Sequence, residues 1–193
     1  LFDKIHKKPL PKYPSKVGII TSASSAAFAD MCKVISDRYV LPKFYLFNSL
    51  VQGNSAPANL IKMLKLADSM ELDVIVIARG GGSKEDLWCF NDEGLAYAIY
   101  EAKTPIISAV GHEIDYSISD FVADHRSLTP TAAMVDLLPD SNELYQKLDI
   151  FQNTLEAIIS SKFNKYESYL NLAKAQIKSK AIEQKINLAT LTL

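Results

Sequence analysis

The 193 residues are 48% hydrophobic and 22% charged, with a formal net charge of −1, a balance that suits a folded globular chain and excludes the disordered, collagen-like and disulfide-scaffold classes. No apolar run reaches the roughly 18 residues that cross a bilayer, and no signal-peptide pattern opens the chain; a cytoplasmic protein with no membrane partner is expected. The two cysteines, Cys32 and Cys89, lack pairing or metal-ligand spacing and read as reduced residues in or near a core. Leu1 stands where a whole protein would begin with Met, which leads us to expect a piece of a longer chain, one domain plus an extension.

Residues 1–16 carry Lys4, Lys7, Lys8, Lys12 and Lys16 against the single acid Asp3. Such a basic arm suits phosphate binding, and it suits an ordinary solvated surface as well. Residues 17–21 are rich in β-branched side chains and predict a buried strand. Thr21, Ser22 and the hydroxyls after them precede a helical pattern over about 25–38, where they can cap the helix or meet a phosphate at its N-terminus. Asp30, within that helix, reads on spacing alone as a solvated or salt-bridged residue. A strand is predicted over 44–47, a helix over about 56–70, and a strand over 74–78.

The third strand runs into Arg79-Gly80-Gly81-Gly82-Ser83. Consecutive glycines let the backbone approach a ligand closely, and their amides can form a concave anion site. Arg79 can add a bidentate grip on a phosphate. The plain alternative is a structural turn with a surface arginine, because the pattern is neither the Walker A nor the dinucleotide fingerprint.

A helix over about 92–102 and a strand over 105–110 lead to Gly111-His112-Glu113-Ile114-Asp115. His112 and Asp115 share a side if a helix starts there, and such a pair serves as base and orienter or helps to hold a metal. Residues 113–143 hold Glu113, Asp115, Asp120, Asp124, Asp136, Asp140 and Glu143 against Arg126, an acidic centre that suits a cation. Spacing leaves Arg126 open between a phosphate and a neighbouring carboxylate. Thr129-Pro130 interrupts the chain before a closely packed helix start.

Strands alternating with helices predict an α/β fold over 1–140, a mostly parallel sheet flanked by helices. In such sheets the ligand lies outside the carboxyl ends of the strands, which puts the weight on Thr21, Ser22, the Arg79–Ser83 loop and Gly111-His112-Glu113. From 141 to about 187 there is no Pro or Gly, and Leu144, Leu148, Phe151, Leu155, Ile159 and Phe163 begin a three-to-four spacing. Residues 141–193 therefore predict a long amphipathic helix or helical pair, a coiled-coil arm whose narrow apolar stripe pairs with another helix.

Taken in order, these stretches resemble the exodeoxyribonuclease VII large subunit family. The likeness rests on Val17 through Ser22, Val51-Gln52-Gly53, Arg79 through Ser83, Asp86-Leu87-Trp88 and Phe90-Asn91-Asp92-Glu93. It continues through residues 105–113, then Asp115, Asp120, Asp124, Arg126 and Thr129-Pro130. The resemblance implies hydrolysis of single-stranded DNA from either end to short oligonucleotides, in DNA repair and recombination. It implies an N-terminal OB-fold that these residues do not include, and a helical arm that docks small subunits, with self-association of large subunits as a further contact. Asp30, Arg79, His112 and Asp115 match the residues the family implicates in catalysis. Thr21, Ser22, Gly80, Gly81, Gly82, Ser83, Arg126 and Thr129 form the expected phosphate and DNA contacts. Asp30 and Asp115 would hold magnesium or manganese, although proteins of this kind differ in metal dependence. Three positions depart from the pattern: Ser25 where glycine is usual, Leu128 where proline is common, and Val135 where glutamate is usual, with Asp136 out of register to replace it. A nucleotide- or phosphosugar-binding α/β domain without nuclease chemistry and an assembly scaffold are the rival readings.

Overall fold

The β-branched runs become strands because both of their faces are covered. A computed structural model describes residues 1–81, 85–111 and 115–191. Strands β1 (Lys16–Thr21), β2 (Lys43–Asn48), β3 (Val74–Ala78), β4 (Ile106–Ala109) and β5 (His125–Arg126) form one sheet in the order β2-β1-β3-β4-β5. All the pairings are parallel. The intervening helices are α1 (Ala26–Arg38), α2 (Ala56–Asp68), α3 (Glu93–Glu101), α4 (Ile118–Val122) and α5 (Pro130–Leu137), with a 3₁₀ turn at Glu85–Asn91 before α3.

Side chains alternate along each strand, so both sets are apolar here. Val17, Ile19, Val74, Val76 and Ile107 pack with Met31 of α1 and Met134 of α5. Ile20, Ile75, Ile77 and Ile106 pack with Leu60 and Leu64 of α2 and with Leu95 and Ile99 of α3. Right-handed crossovers explain the division: β1 to β2 steps one way across the sheet, whereas β2 to β3 and β3 to β4 step the other. The predicted 44–47 strand lengthens at both ends to β2, whose residues are mostly exposed or half-buried because it lies at the sheet edge. The two-residue β5 and the short α4 lack the length that would make a periodicity legible.

Lys7 and Lys8 of the basic arm are engaged at the amino edge of the sheet. Lys7 Nζ donates to the carbonyls of Phe121 (3.0 Å) and Ala123 (2.7 Å). Lys8 Nζ donates to the Ala102 carbonyl at 3.0 Å and pairs with Asp124 at 3.2 Å. Asp124 also accepts from the backbone N–H groups of Lys8 and Ile106, each at 2.7 Å. These lysines anchor the segment before β1, at the end of the strands away from the residues singled out above.

Asp68, at the end of α2, closes a similar clamp. Burial alone would raise its carboxyl, but N–H bonds from Thr104 (2.8 Å) and Lys103 (3.0 Å), the Thr104 hydroxyl and the Lys8 charge outweigh it and hold it below its ordinary value. A carboxylate lowered by folding contributes stability above its unfolded pKa, about 4, and loses it as the pH falls through the lower folded value. Asp68→Asn should therefore be less stable than the parent at neutral pH in urea unfolding. The gap should close as both proteins are taken below about pH 4; a gap that ignores pH would show that the charge of Asp68 contributes nothing.

The chain divides into two compact units, Leu1–Asn142 and Glu143–Leu193. Helix α6 (Ser141–Leu191) is continuous over 51 residues, about 77 Å at 1.5 Å per residue. Its apolar residues, among them Leu148, Phe151, Leu155 and Phe163, are exposed. Thr154, Ser168 and Thr190 return their hydroxyls to the carbonyls four residues earlier, at 2.7, 2.9 and 2.6 Å. Among the described residues no helix is long and apolar enough to cross a membrane.

Candidate active site

The order β2-β1-β3-β4-β5 has its switch point between β1 and β3. The chain leaves β1 towards one face and β3 towards the other, so the loops after these strands diverge and open a crevice at the carboxyl edge. A cleft of about 360 Å³ lies there. Ser22, Ser25 and Ala27 form one lip, Arg79, Gly80 and Gly81 the other, and Val51 and Gln52 of the β2–α2 loop a third wall.

Each lip is fixed by local bonds. The Ser22 carbonyl accepts from Ser25 N–H at 3.0 Å, Asn48 Oδ1 accepts from Ala23 N–H at 2.9 Å, and Ser25 caps α1 by accepting from Phe28 N–H at 3.2 Å. The serine at position 25 thus supplies a cap that glycine lacks. Thr21 is fully buried beneath the lip, and its hydroxyl has no hydrogen-bond partner among the described residues. On the other lip, Arg79 N–H donates to the Ala109 carbonyl at 3.2 Å, which carries the β3–β4 ladder one residue further. Its side chain is only 3% exposed although it lines the cleft. A Cβ on Gly80 would lie 3.2 Å from Ala27 Cβ, tighter than ordinary contact, whereas Gly81 has open space around it. The glycine loop therefore presses against the first turn of α1 and leaves its next residue accessible. A buried arginine, two glycines and the start of a helix converge on one crevice, a combination that suits an oxyanion or phosphate.

The end of β4 forms the neighbouring wall of the carboxyl edge. Gly111 is buried, and a Cβ there would overlap the Asp115 carbonyl oxygen and lie 3.2 Å from Asp120 Oδ2. The chain folds back so closely that only glycine fits. Asp115 is half-buried, and α4 begins at Ile118. His112, Glu113, Gly82 and Ser83 lie outside the described residues. Asp30 sits one turn along α1 from the lip, about half exposed, with its carboxylate 3.2 Å from Lys33. Among the described residues no three His, Cys, Asp or Glu side chains gather as a metal-binding set. Asp30 and Asp115 are the carboxylates on which a cation is expected.

Most of the acidic centre is occupied by structure. Asp120, 3% exposed, accepts from Ser108 Oγ at 2.6 Å and from Ser117 N–H and Oγ at 2.9 Å, which closes a capping box on α4. Asp136 accepts from Ser127 Oγ at 2.6 Å and lies 3.3 Å from His125 Nε2. The Arg126 guanidinium lies 3.9 Å over the Tyr116 ring, with Nε 4.0 Å from Asp120, so of its two alternatives the carboxylate is the one it adjoins. Thr129 caps α5 by accepting from Ala132 N–H at 3.0 Å. Leu128 and Val135 are exposed, and nothing in the structure explains their departure from the family pattern. Asn48 is not among the residues to which the sequence points, and its one available signal is a place at the end of an apolar strand, whereas Gln52 stands in the Val51-Gln52-Gly53 stretch of the resemblance.

The chain matches the family model "Exonuclease VII, large subunit" over residues 1–192. It is 62% identical to the exodeoxyribonuclease 7 large subunit of Campylobacter fetus subsp. fetus over 193 residues, all of this chain and 50% of that protein. It is 56% identical to the Campylobacter hominis protein of the same name over 186 residues, 96% of this chain and 48% of the relative. The Campylobacter jejuni subsp. jejuni protein is 57% identical over 176 residues, 90% and 46% of the respective chains. The chain spans about half the length of these curated relatives.

Proposed function

Since the chain belongs to the exonuclease VII large subunit family, we propose that it is the catalytic portion of an exodeoxyribonuclease that cuts single-stranded DNA from either end into short oligonucleotides. The observation that carries this reading is the switch-point cleft, where Arg79, the glycine loop and the start of α1 face one another across about 360 Å³. A backbone phosphate enters the cleft, and Arg79 with the Gly80 and Gly81 amides binds its non-bridging oxygens. Ser22 borders it from the opposite lip, with Thr21 buried beneath, and Thr21, Ser83, Arg126 and Thr129 belong to the wider DNA-contacting set. His112 takes a proton from water as the water oxygen bonds to phosphorus. The ester bond on the far side breaks, and the departing oxygen takes up a proton. Asp115 orients His112, and Arg79 stabilises the negative charge that develops on the equatorial oxygens. Magnesium or manganese on Asp30 and Asp115 would lower the pKa of a bound water.

The exposed apolar residues of α6 suit docking of the family's small subunits, and of a second large subunit, in the cytoplasm. The test is degradation of labelled single- and double-stranded oligonucleotides by the full-length subunit assembled with its small subunit, with magnesium and with EDTA. Single strands should be shortened and duplexes left largely intact. An assembly that degrades neither under any condition would favour a scaffold.

A further inference from the structure

A second cleft, of about 590 Å³, adjoins the first and is lined by Gly53, Asn54, Pro57, Trp88, Asn91 and Asp92. One loop walls both: its Val51 and Gln52 face the Arg79 cleft, and its next residues, Gly53 and Asn54, face this one. Gly53, at φ +84°, makes the turn between them in a conformation that glycine adopts without strain. Cys89 Sγ donates to the Val51 carbonyl at 3.5 Å and ties the 3₁₀ turn to the shared loop. Within that turn Leu87, Cys89 and Phe90 are buried, whereas the Trp88 indole is 76% exposed. An anchored backbone therefore holds a large aromatic face out to solvent. The polar rim is fixed too: Asn91 Oδ1 accepts from Ile118 N–H at 2.8 Å, and Asp92 Oδ1 from Leu95 N–H at 2.9 Å.

We propose that this cleft is a nucleobase subsite, in which the Trp88 indole stacks on the base of the nucleotide next to the one whose phosphate lies in the Arg79 cleft. The inference rests on the nuclease reading above. Two clefts sharing a wall, one built for a phosphate and one for an aromatic ring, match the alternation of phosphate and base along a strand. Stacking uses the π-face that every base has, so it tolerates any sequence. It also needs an unstacked base, which a single strand offers and a duplex withholds.

The test compares the KM for oligothymidylate with the inhibition constant of an abasic deoxyribose-phosphate oligomer of equal length, both on the full-length assembled enzyme. Trp88→Ala should raise the KM about tenfold and leave the abasic inhibition constant within about twofold, and Trp88→Phe should recover most of the loss. Arg79→Ala should weaken both ligands. If wild type degrades the strand while Trp88→Ala moves the two constants alike, or moves neither, the base subsite is overturned and the nuclease reading survives. A wild-type enzyme that degrades no strand overturns both.

Discussion

Arg79→Ala is expected to lower kcat/KM for single-stranded DNA by at least about a hundredfold in the assembled enzyme. The expectation follows from placement. Arg79 is held by the β3–β4 ladder through its N–H bond to Ala109, and its side chain is 97% hidden from solvent yet borders the switch-point cleft. A charge fixed in a water-poor crevice acts on a developing oxyanion far more strongly than one in bulk water, and it needs no reorganisation when the charge appears. Arg79→Lys should recover only part of the loss, because an ammonium cannot offer the planar fork that engages two oxygens at once. His112→Ala should also cost at least about a hundredfold, but in turnover, with strand binding retained. The check is steady-state degradation alongside strand binding, with urea unfolding to show that each variant is folded. A folded Arg79→Ala enzyme within about threefold of wild type would mean that the cleft is not where the phosphate reacts.

Asp124→Ala should cost about 3 kcal/mol of stability, a large share of the roughly 5–15 kcal/mol that holds a domain together. The Asp124 side chain is 5% exposed and accepts from the N–H groups of Lys8 and Ile106, both at 2.7 Å, with Lys8 Nζ at 3.2 Å. Removing it leaves the N–H at the start of β4 without its acceptor, and releases the segment before β1. Asp124→Asn keeps one acceptor oxygen but loses the charge facing Lys8, so it should cost about half as much. A lowered urea midpoint with an unchanged slope would establish the effect as lost stability. A loss below about 0.5 kcal/mol would show that the clamp is dispensable.

Both predictions turn on residues whose roles divide differently between sequence and structure. Arg79 and its glycines stand out in the sequence at the end of an apolar strand, but spacing alone fits a structural turn with a surface arginine equally well, and only the fold shows Arg79 buried beside a cleft. Asp124 and Asp120 do not stand out, because a carboxylate that accepts from backbone amides has the same one-dimensional signature as one that faces a cation. Lys7 and Lys8 of the basic arm are equally ambiguous until their carbonyl partners on Phe121, Ala123 and Ala102 are known. Trp88 is a visible motif in the sequence, but an apolar residue beside Leu87 and Phe90 reads as core, and only the turn of the backbone sends its ring outwards.

By itself the sequence determined the local elements: β-branched runs that must be covered on both faces, hydroxyls and prolines that start helices, and an uninterrupted amphipathic stretch that becomes α6. These follow from neighbours within a few residues. Only the tertiary structure decided the strand order, because pairing β1 with both β2 and β3 depends on burial and crossover direction across tens of residues. That order brings the Ser22 turn against the Arg79 loop, sets Gln52 between them, and opens the cleft where the connections after the neighbouring strands β1 and β3 leave the sheet on opposite faces.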